Sequence, residues 1–262
     1  MDLAFDVAGR GRPVLLLHGL FASAANWRRV AAELARTRRV YSVDLRSHGR
    51  SPASADMSYR AMADDVLRLI ERESLDRPAV VGHCMGAKVA MALALSTPWA
   101  VGRLVAIDAA PRRGSDAWTR ELDLGAAPPC GLLQRWTKRD QALDDARFDW
   151  SCRVDLIVPS LRELAGFPPL LRYLSTARPL HAIVAAGTGT GAGTGGPGLL
   201  GAAAYQPMFP RTRIHPIGGA SHWVQVDRPA ELVAQLDALL PSWRRSSERS
   251  PALSTSIMET VR

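Results

Sequence analysis

Short apolar segments recur along the chain, separated by longer segments in which apolar or small residues repeat at helical spacing. Apolar runs of this length are typical of buried strands, so the pattern predicts strands at 13–18, 39–43, 79–81, 104–107, 181–187 and 212–217. The helical spacing predicts helices over 26–34, 59–72, 87–95 and 228–240. Strands that alternate with helices predict an α/β protein, with a mostly parallel central sheet and helices on both of its faces.

The alternation stops in the middle of the chain. Residues 112–178 are rich in Pro, Trp, Arg and Asp and contain no clear strand pattern, so we predict a helical lid inserted between two strands of the sheet. The core is then built from residues 1–111 together with residues 179–241. Residues 242–262 are polar and rich in serine, which is typical of a disordered tail.

The net charge of +8 would suit nucleic acid or an anionic surface as a partner. The arginines are scattered in pairs without a nucleic-acid-binding motif, so we expect no nucleic-acid partner. The N-terminal segment has no apolar stretch and the chain has no apolar run of about 18 residues, so we expect neither a secretory signal nor a membrane span. Three cysteines without a C-x-x-C pair fit a reducing compartment, and we predict a cytoplasmic protein.

The segment VVGHCMGAK, residues 80–88, places the pattern G-x-C-x-G between a predicted strand and a predicted helix. In the corresponding G-x-S-x-G turn, a strained backbone exposes the central side chain at the carboxyl end of the strand. Cys84 occupies that centre, and the amides of the following helix and a nearby histidine would lower its thiol pKa. The alternative is a buried free cysteine that behaves as a small apolar side chain.

Two loops contain groups that would act with such a nucleophile. In HGLF, residues 18–21, the backbone N–H of Leu20 or Phe21 would pair with that of Met85 to form an oxyanion hole. His222 lies in a Gly-rich loop after the last predicted strand, where a general base belongs. Asp108 ends the strand that follows the nucleophile helix.

Together these segments resemble the α/β-hydrolase fold superfamily, over roughly residues 10–240. The resemblance rests on LLLHG, VDLRSHGRS, VGHCMGAKVAMALA, LVAIDAAP and GGASHWVQVDRPAELV. Within the superfamily the chain looks most like the small-esterase branch, which carries GHSMGGK followed by VAID. The chain departs from that branch at Cys84, where the branch has serine.

The resemblance implies a triad of Cys84, His222 and Asp108. In the small-esterase branch the acid stands at the end of the sixth strand, which corresponds to Asp108 here. The more common acid position would follow the strand at 181–187, but the segment GTGTGAGTGGPG contains neither Asp nor Glu. The alternative is that Asp108 only caps a loop. His48 and His83 are interpreted as structural.

The chemistry implied is that of an acyl enzyme. Attack of the thiolate on an ester or thioester would give an S-acyl intermediate. The resemblance implies hydrolysis, and the cysteine adds acyl transfer or cyclisation as outcomes. The alternative is a non-hydrolytic binding protein or cyclase on the same scaffold.

We expect a small-molecule acyl substrate, free or bound to an acidic carrier protein that the positive charge would attract. The sequence contains no metal-ligand cluster and no cofactor motif, so neither is expected. Aromatic residues of the lid would line an apolar acyl pocket or form the lid's own core. They are Trp118, Trp136, Phe148 and Trp150, with Phe167 and Tyr173.

Overall fold

The computed structural model describes residues 1–111, 152–167, 171, 174–186, 202–206 and 208–240. Within these residues, seven strands form one sheet in the order β1-β3-β2-β4-β5-β6-β7. β1 pairs antiparallel with β3, and the other neighbours pair in parallel. The strands are β1 (Phe5–Ala8), β2 (Pro13–Leu17), β3 (Arg39–Val43), β4 (Ala79–His83), β5 (Arg103–Ile107), β6 (Leu180–Ala186) and β7 (Arg213–Gly218).

Helices cover both faces of the sheet. Helices α1 and α7 pack together, and so do α2 and α3. The described helices are α1 (Arg28–Leu34), α2 (Tyr59–Arg72), α3 (Met85–Ser96), α4 (Val154–Ile157), α5 (Leu161–Ala165), α6 (Val224–Asp227) and α7 (Pro229–Leu239). Short 3₁₀ turns occur at Ala24–Trp27, Pro98–Ala100, Val158–Ser160 and Ala202–Ala204. The predicted α/β class with a mostly parallel sheet is confirmed.

Side chains alternate between two apolar cores because successive residues of a strand point to opposite faces of the sheet. In β2, Leu15 and Leu17 join the core beneath α2 and α3, whereas Val14 and Leu16 join the core beneath α1 and α7. All four are essentially inaccessible to solvent. A strand buried on both sides reads as an unbroken apolar run, which is why the sequence pattern predicted the parallel strands.

The sequence pattern did not predict β1. This strand lies at the edge of the sheet, and most of its side chains are exposed, including Val7. Its position depends on backbone pairing with β3, from Phe5 opposite Val43 to Ala8 opposite Val40. Backbone pairing at a sheet edge does not require a repeating pattern of apolar side chains, so the sequence of β1 does not indicate a strand.

The predicted lid lies mostly outside the described residues, as does the predicted tail at 242–262. The described part of the lid contains α4 and α5, and its buried side chains include Ile157, Leu164 and Phe167. These three pack into the same core as α2 and α3. The division of the chain into core, lid and tail remains a prediction.

The turn between β4 and α3 requires two glycines. Cys84 at its centre has φ of +51°, a strained conformation for a residue with a side chain. A Cβ on Gly82 would lie 2.3 Å from the carbonyl oxygen of Gly86, and a Cβ on Gly86 would lie 2.4 Å from that of Leu17. Helix α3 can therefore start directly against β2 and β4 only because these two positions lack side chains.

We expect Gly86→Ala to destabilise the fold. The clash is with backbone, so the strand or the helix must move, at a cost of about 1–3 kcal/mol. Alanine recovers up to about 1 kcal/mol of that as a better helix former, which leaves a net loss that urea unfolding can measure. The matched control is Gly218→Ala, where an added Cβ meets nothing within 4 Å. Equal unfolding midpoints for the two variants would contradict the close approach.

Candidate active site

Cys84 lies at the carboxyl end of β4 and caps the N-terminus of α3. Its own backbone N–H donates to the carbonyl of Ile107 on β5, at 3.0 Å, which fixes the turn against the neighbouring strand. The backbone of Met85, the first residue of α3, contributes to lowering the pKa of the Cys84 thiol. The side chain is half-buried, and its role as a nucleophile remains a prediction.

The loop after β2 lies beside this turn, since a Cβ on Gly19 would come within 3.2 Å of the Cys84 Cβ. In the loop, the N–H of Phe21 donates to Nε2 of His48 at 3.3 Å, and Phe21 has φ of +61°. Among the described residues, no acceptor engages the N–H of Leu20. Of the two N–H groups that the sequence offered as oxyanion donors, that of Phe21 is engaged by His48, so Leu20 is the candidate to act with Met85, and the oxyanion hole remains a prediction.

Two buried histidines fix this loop by accepting backbone hydrogen bonds. Nε2 of His18 accepts from the N–H of Leu45 at 3.0 Å, and its Nδ1 donates to the carbonyl of Gly19 at 2.7 Å. Nδ1 of His48 donates to the carbonyl of Arg46 at 2.9 Å. Burial lowers the pKa of His18 to about 4 and that of His48 to about 3. Both imidazoles are thus neutral and structural, as the sequence suggested for His48.

His222 and Asp108 meet at the same end of the sheet. Nδ1 of His222 lies 2.6 Å from Oδ2 of Asp108, and the two residues are 114 positions apart in the chain. The Asp108 carboxylate is 2% exposed and the imidazole 21% exposed, so the pair is largely shielded from water. The carboxylate accepts from Nδ1, so Nε2 is the ring nitrogen left for Cys84, whose pKa the charge and hydrogen bond of His222 lower.

Asp108 is held by the strand next to its own. It follows β5 with φ of +47°, and its N–H donates to the carbonyl of Ile183 on β6 at 2.8 Å. Its second carboxylate oxygen accepts from the N–H of Ala185 at 3.3 Å. The carboxylate therefore caps backbone and contacts the imidazole at once, so the two interpretations of Asp108 are compatible. The nearby Asp227 accepts from the N–H of Ser221 at 2.7 Å instead.

The electrostatics favour an ion pair between sulfur and imidazole. Burial alone would raise the pKa of the Cys84 thiol, but the charge and hydrogen bond of His222 outweigh it and lower the pKa. Burial would likewise lower the pKa of His222, but the Cys84 sulfur and the Asp108 carboxylate raise it well above 6.5. Each group therefore shifts the pKa of the other toward the charged form.

His83 holds the backbone of the His222 loop. Its Nε2 donates to the His222 carbonyl at 2.8 Å, and its Nδ1 accepts from the side-chain amide of Gln225 at 3.4 Å. Its ring lies 4.7 Å from the His222 ring, between centroids. Burial and the neighbouring His222 charge lower the pKa of His83 well below 6.5, so it stays neutral beside the imidazolium.

The predicted pocket residues Trp118, Trp136, Phe148 and Trp150 lie outside the described residues, as does Tyr173. Sequence reasoning missed Lys88 and Tyr59, which bind backbone carbonyls of the lid segment near Phe167. The position of Lys88, four residues after the nucleophile on a helix, was a signal that could have indicated it.

Two further observations concern only the described part of the chain. No group of three or more His, Cys, Asp or Glu residues is placed to hold a metal ion. No helix is both long enough and apolar enough to cross a membrane.

The fold and this site define a class: an α/β protein with a cysteine at a strained strand-to-helix turn, facing a histidine and a carboxylate. The model of the alpha/beta hydrolase family matches residues 14–236. The chain belongs to that family.

The chain is similar along most of its length to curated relatives. The sn-1-specific diacylglycerol lipase ABHD11 of Danio rerio is 27% identical over 266 residues, which cover 90% of this chain and 80% of the lipase. Esterase YbfF of Escherichia coli is 27% identical over 253 residues, with coverage of 89% and 92%. Together with the family, these relatives support an esterase-type hydrolase as the class of enzyme.

Solved structures share the fold. A marine microorganism esterase superposes with a TM-score of 0.71 at 23% identity, covering 91% of this chain and 99% of the esterase. The epoxide hydrolase CorEH has the same TM-score of 0.71 at 20% identity, with coverage of 90% and 94%. The two activities differ, so this likeness establishes the architecture alone.

We expect iodoacetamide at neutral pH to alkylate Cys84 much faster than Cys152. The Cys84 pKa is lowered, whereas burial raises the pKa of Cys152 to about 12, so the thiolate fractions differ by roughly 10²-fold or more. The Cys84 rate should reach its plateau at a lower pH than that of an ordinary thiol. In His222→Ala the sulfur is still buried but has lost the positive charge that lowers its pKa, so the alkylation rate should reach its plateau at a higher pH. Peptide mass spectrometry resolves the two sites; an unchanged profile in the variant would contradict the ion pair.

Proposed function

We propose that this protein is an ester- or thioester-cleaving acyl enzyme whose nucleophile is the Cys84 thiolate. The observation that carries the proposal is the 2.6 Å contact of His222 Nδ1 with the buried Asp108 carboxylate, on the same imidazole whose charge and hydrogen bond lower the pKa of Cys84. Cys84 is a group that can attack a carbonyl, and Asp108 is a carboxylate that can orient the base. The raised pKa of His222 supports the same assignment, because an imidazolium beside the sulfur keeps it ionised.

The first half of the reaction transfers the acyl group to sulfur. The Cys84 thiolate attacks the substrate carbonyl carbon, a carbon–sulfur bond forms, and the carbonyl electron pair moves to oxygen. The N–H groups of Met85 and Leu20 are proposed to donate to that oxyanion. When the intermediate collapses, the bond to the leaving group breaks, and His222 Nε2 gives its proton to the departing oxygen or sulfur.

The second half releases the acyl group. His222, now neutral, removes a proton from water, and the resulting hydroxide attacks the thioester carbonyl. Collapse of this second intermediate expels the Cys84 thiolate and leaves a carboxylic acid. Asp108 holds Nδ1 of His222 throughout, so that Nε2 faces the sulfur and the incoming water in turn.

The proposed substrate is a small molecule with an apolar acyl group. Buried side chains of the described lid segment, Ile157, Leu164 and Phe167, share one apolar core with Leu20 and Met85. The relative from Danio rerio is named as a diacylglycerol lipase, which agrees with an apolar acyl chain. The pocket residues Trp118, Trp136, Phe148 and Trp150 remain a prediction from the sequence.

Acyl transfer to an alcohol is the second candidate outcome. A Saccharomyces cerevisiae protein named "Probable alcohol acetyltransferase" is 37% identical over 127 residues, which cover 42% of this chain and 37% of that protein. A thioester intermediate also reacts readily with alcohols and amines. The two outcomes share every step up to the S-acyl enzyme and differ in whether water or an alcohol attacks it.

A carrier protein is a less supported bearer of the acyl group. Arg103 begins β5 and Arg213 begins β7, with Arg178 shortly before β6, whereas Cys84 follows the carboxyl end of β4. Because these strands run parallel, the arginines lie at the opposite end of the sheet from Cys84. An acidic carrier bound at that end would not present its acyl group to the sulfur.

We expect p-nitrophenyl butyrate to leave a butyryl adduct on Cys84, seen in the intact mass of acid-quenched protein, and to turn over. Cys84→Ala should lose both the adduct and the turnover because no nucleophile remains, whereas Cys152→Ala should retain both. Added ethanol separates the outcomes, since acyl transfer would give ethyl butyrate in place of butyric acid. Full activity of Cys84→Ala would refute the acyl enzyme and favour a binding protein or acid–base cyclase on this scaffold.

Asp108→Asn should lower kcat by roughly 10²- to 10⁴-fold, the usual contribution of a positioned acid–base group. An amide cannot stabilise the imidazolium, and it can present an N–H toward Nδ1 in place of an acceptor. The exposed Asp64→Asn on α2 is the matched control and should keep the original rate. A loss of less than about threefold in Asp108→Asn, with stability unchanged, would leave loop capping as the only role of this carboxylate.

A further inference from the structure

Lys88 lies one helical turn after Cys84 on α3. Its backbone N–H donates to the Cys84 carbonyl at 3.3 Å, in the register of the helix. Cys84 is the non-helical N-cap of α3, and Lys88 lies near enough for its charge to contribute to lowering the pKa of the Cys84 thiol. A cation at this position is close in the chain and in space to the sulfur.

The Lys88 ammonium binds backbone carbonyls at the C-terminal end of the described lid segment. Nζ donates to the carbonyl of Gly166 at 2.8 Å and lies 3.4 Å from that of Leu164. Both carbonyls belong to the C-terminal end of α5, where carbonyl groups lack partners within the helix. Nζ also lies 5.7 Å from the centre of the Tyr59 ring, within the range of a cation–π contact.

Tyr59 binds the same segment from α2. Its hydroxyl donates to the Leu164 carbonyl at 2.6 Å, and its ring lies 6.3 Å from that of Phe167, between centroids. Lys88 and Tyr59 thus hold residues 164–167 from two different helices. We refer to these two side chains as the α5 clamp.

Lys88 and Cys84 each shift the pKa of the other toward its charged form. Burial lowers the pKa of Lys88 to about 8, and the Cys84 thiolate opposes that change. In return the Lys88 charge contributes to lowering the thiol pKa, after the larger effects of burial and His222. Lys88 therefore keeps its positive charge at neutral pH and loses it as the pH rises through about 8.

We propose that Lys88 is a positioning residue with two roles: it fixes the lid segment 164–167 over the site, and it helps to keep the Cys84 sulfur ionised. The proposal rests on the proposed function for its kinetic consequences. Leu164 and Phe167 belong to the same large apolar core as Met85, the residue that follows the proposed nucleophile. Anchoring them sets one wall of the acyl pocket, so the clamp contributes to the choice of acyl group. Tyr59 shares only the first of the two roles.

The two roles separate in three variants. Lys88→Met keeps the length of the side chain without its charge, Lys88→Arg keeps a cation, and Tyr59→Phe removes one carbonyl contact while leaving the ammonium. Arg60→Met is the matched control, because Arg60 is an exposed cation on α2 next to Tyr59. Urea unfolding establishes that each variant is folded before it is compared.

The first readout is the pH dependence of Cys84 alkylation by iodoacetamide, measured below pH 8 with site-resolved mass spectrometry. Lys88→Met should move the midpoint upward by roughly one pH unit, the effect of removing a nearby opposite charge. Lys88→Arg should restore the midpoint, and Tyr59→Phe and Arg60→Met should leave it unchanged. If Lys88 served only to pack the segment, the alkylation midpoint of Lys88→Met would stay the same as that of the other variants.

The second readout is KM for p-nitrophenyl esters of short and long acyl chains. Loss of a clamp contact in Tyr59→Phe or Lys88→Met should raise KM for the long-chain ester by about 3- to 10-fold, the usual effect of one hydrogen bond. KM for the acetate should change little, because a short acyl group does not reach the wall that the clamp anchors.

An unchanged alkylation midpoint in Lys88→Met overturns the electrostatic role, and an unchanged long-chain KM in both clamp variants overturns the positioning role. If Lys88→Met does not fold, Tyr59→Phe still decides the positioning role, and a Lys88→Gln variant takes the place of Lys88→Met for the electrostatic role. Alkylation needs no turnover, so failure of the proposed function would leave the first readout intact and would appear instead as absent ester turnover in the unmodified protein or as full activity of Cys84→Ala.

Discussion

The site depends on one constraint, which is that three ionisable groups are taken out of water together. Burial disfavours the charged forms of Cys84 and His222, yet each shifts the pKa of the other toward the charged form, and His222 contacts the buried Asp108 carboxylate. Removing any one would leave a shielded charge without its counter-charge, which costs more than the pair gains. The backbone around Cys84 and Asp108, both with positive φ, is held in strained conformations that maintain this order.

The other histidines near the site are neutral and hold backbone segments in place. His18, His48 and His83 are deeply buried and are neutral because burial dominates their pKa. A neutral imidazole offers one donor and one acceptor in fixed directions, so each can join two loops without adding charge. Two of them fix the loop that contains Leu20, and His83 fixes the backbone of His222. Only His222, with anionic groups on both sides, is driven to the charged form.

Much of the fold could be predicted because parallel strands buried on both faces leave unbroken apolar runs in the sequence. The turn at Cys84 could be predicted because its glycines report a close approach of backbones that no other residue permits. The edge strand β1 could not, since its pairing involves backbone groups that every residue has. Nor could the sequence choose between Leu20 and Phe21, because the choice depends on His48, which accepts the hydrogen bond of Phe21.

The sequence by itself determined the order of the buried strands and the longer helices, the strained turn and the kinds of side chain placed at the ends of those strands. Those features are local, since each follows from residues within one or two turns of the chain. Only the tertiary structure decided that Asp108 contacts His222 and that Lys88 reaches the carbonyl of Gly166, across 114 and 78 positions. Periodicity reports which side of an element is buried, and it contains no information about which distant group lies on that side.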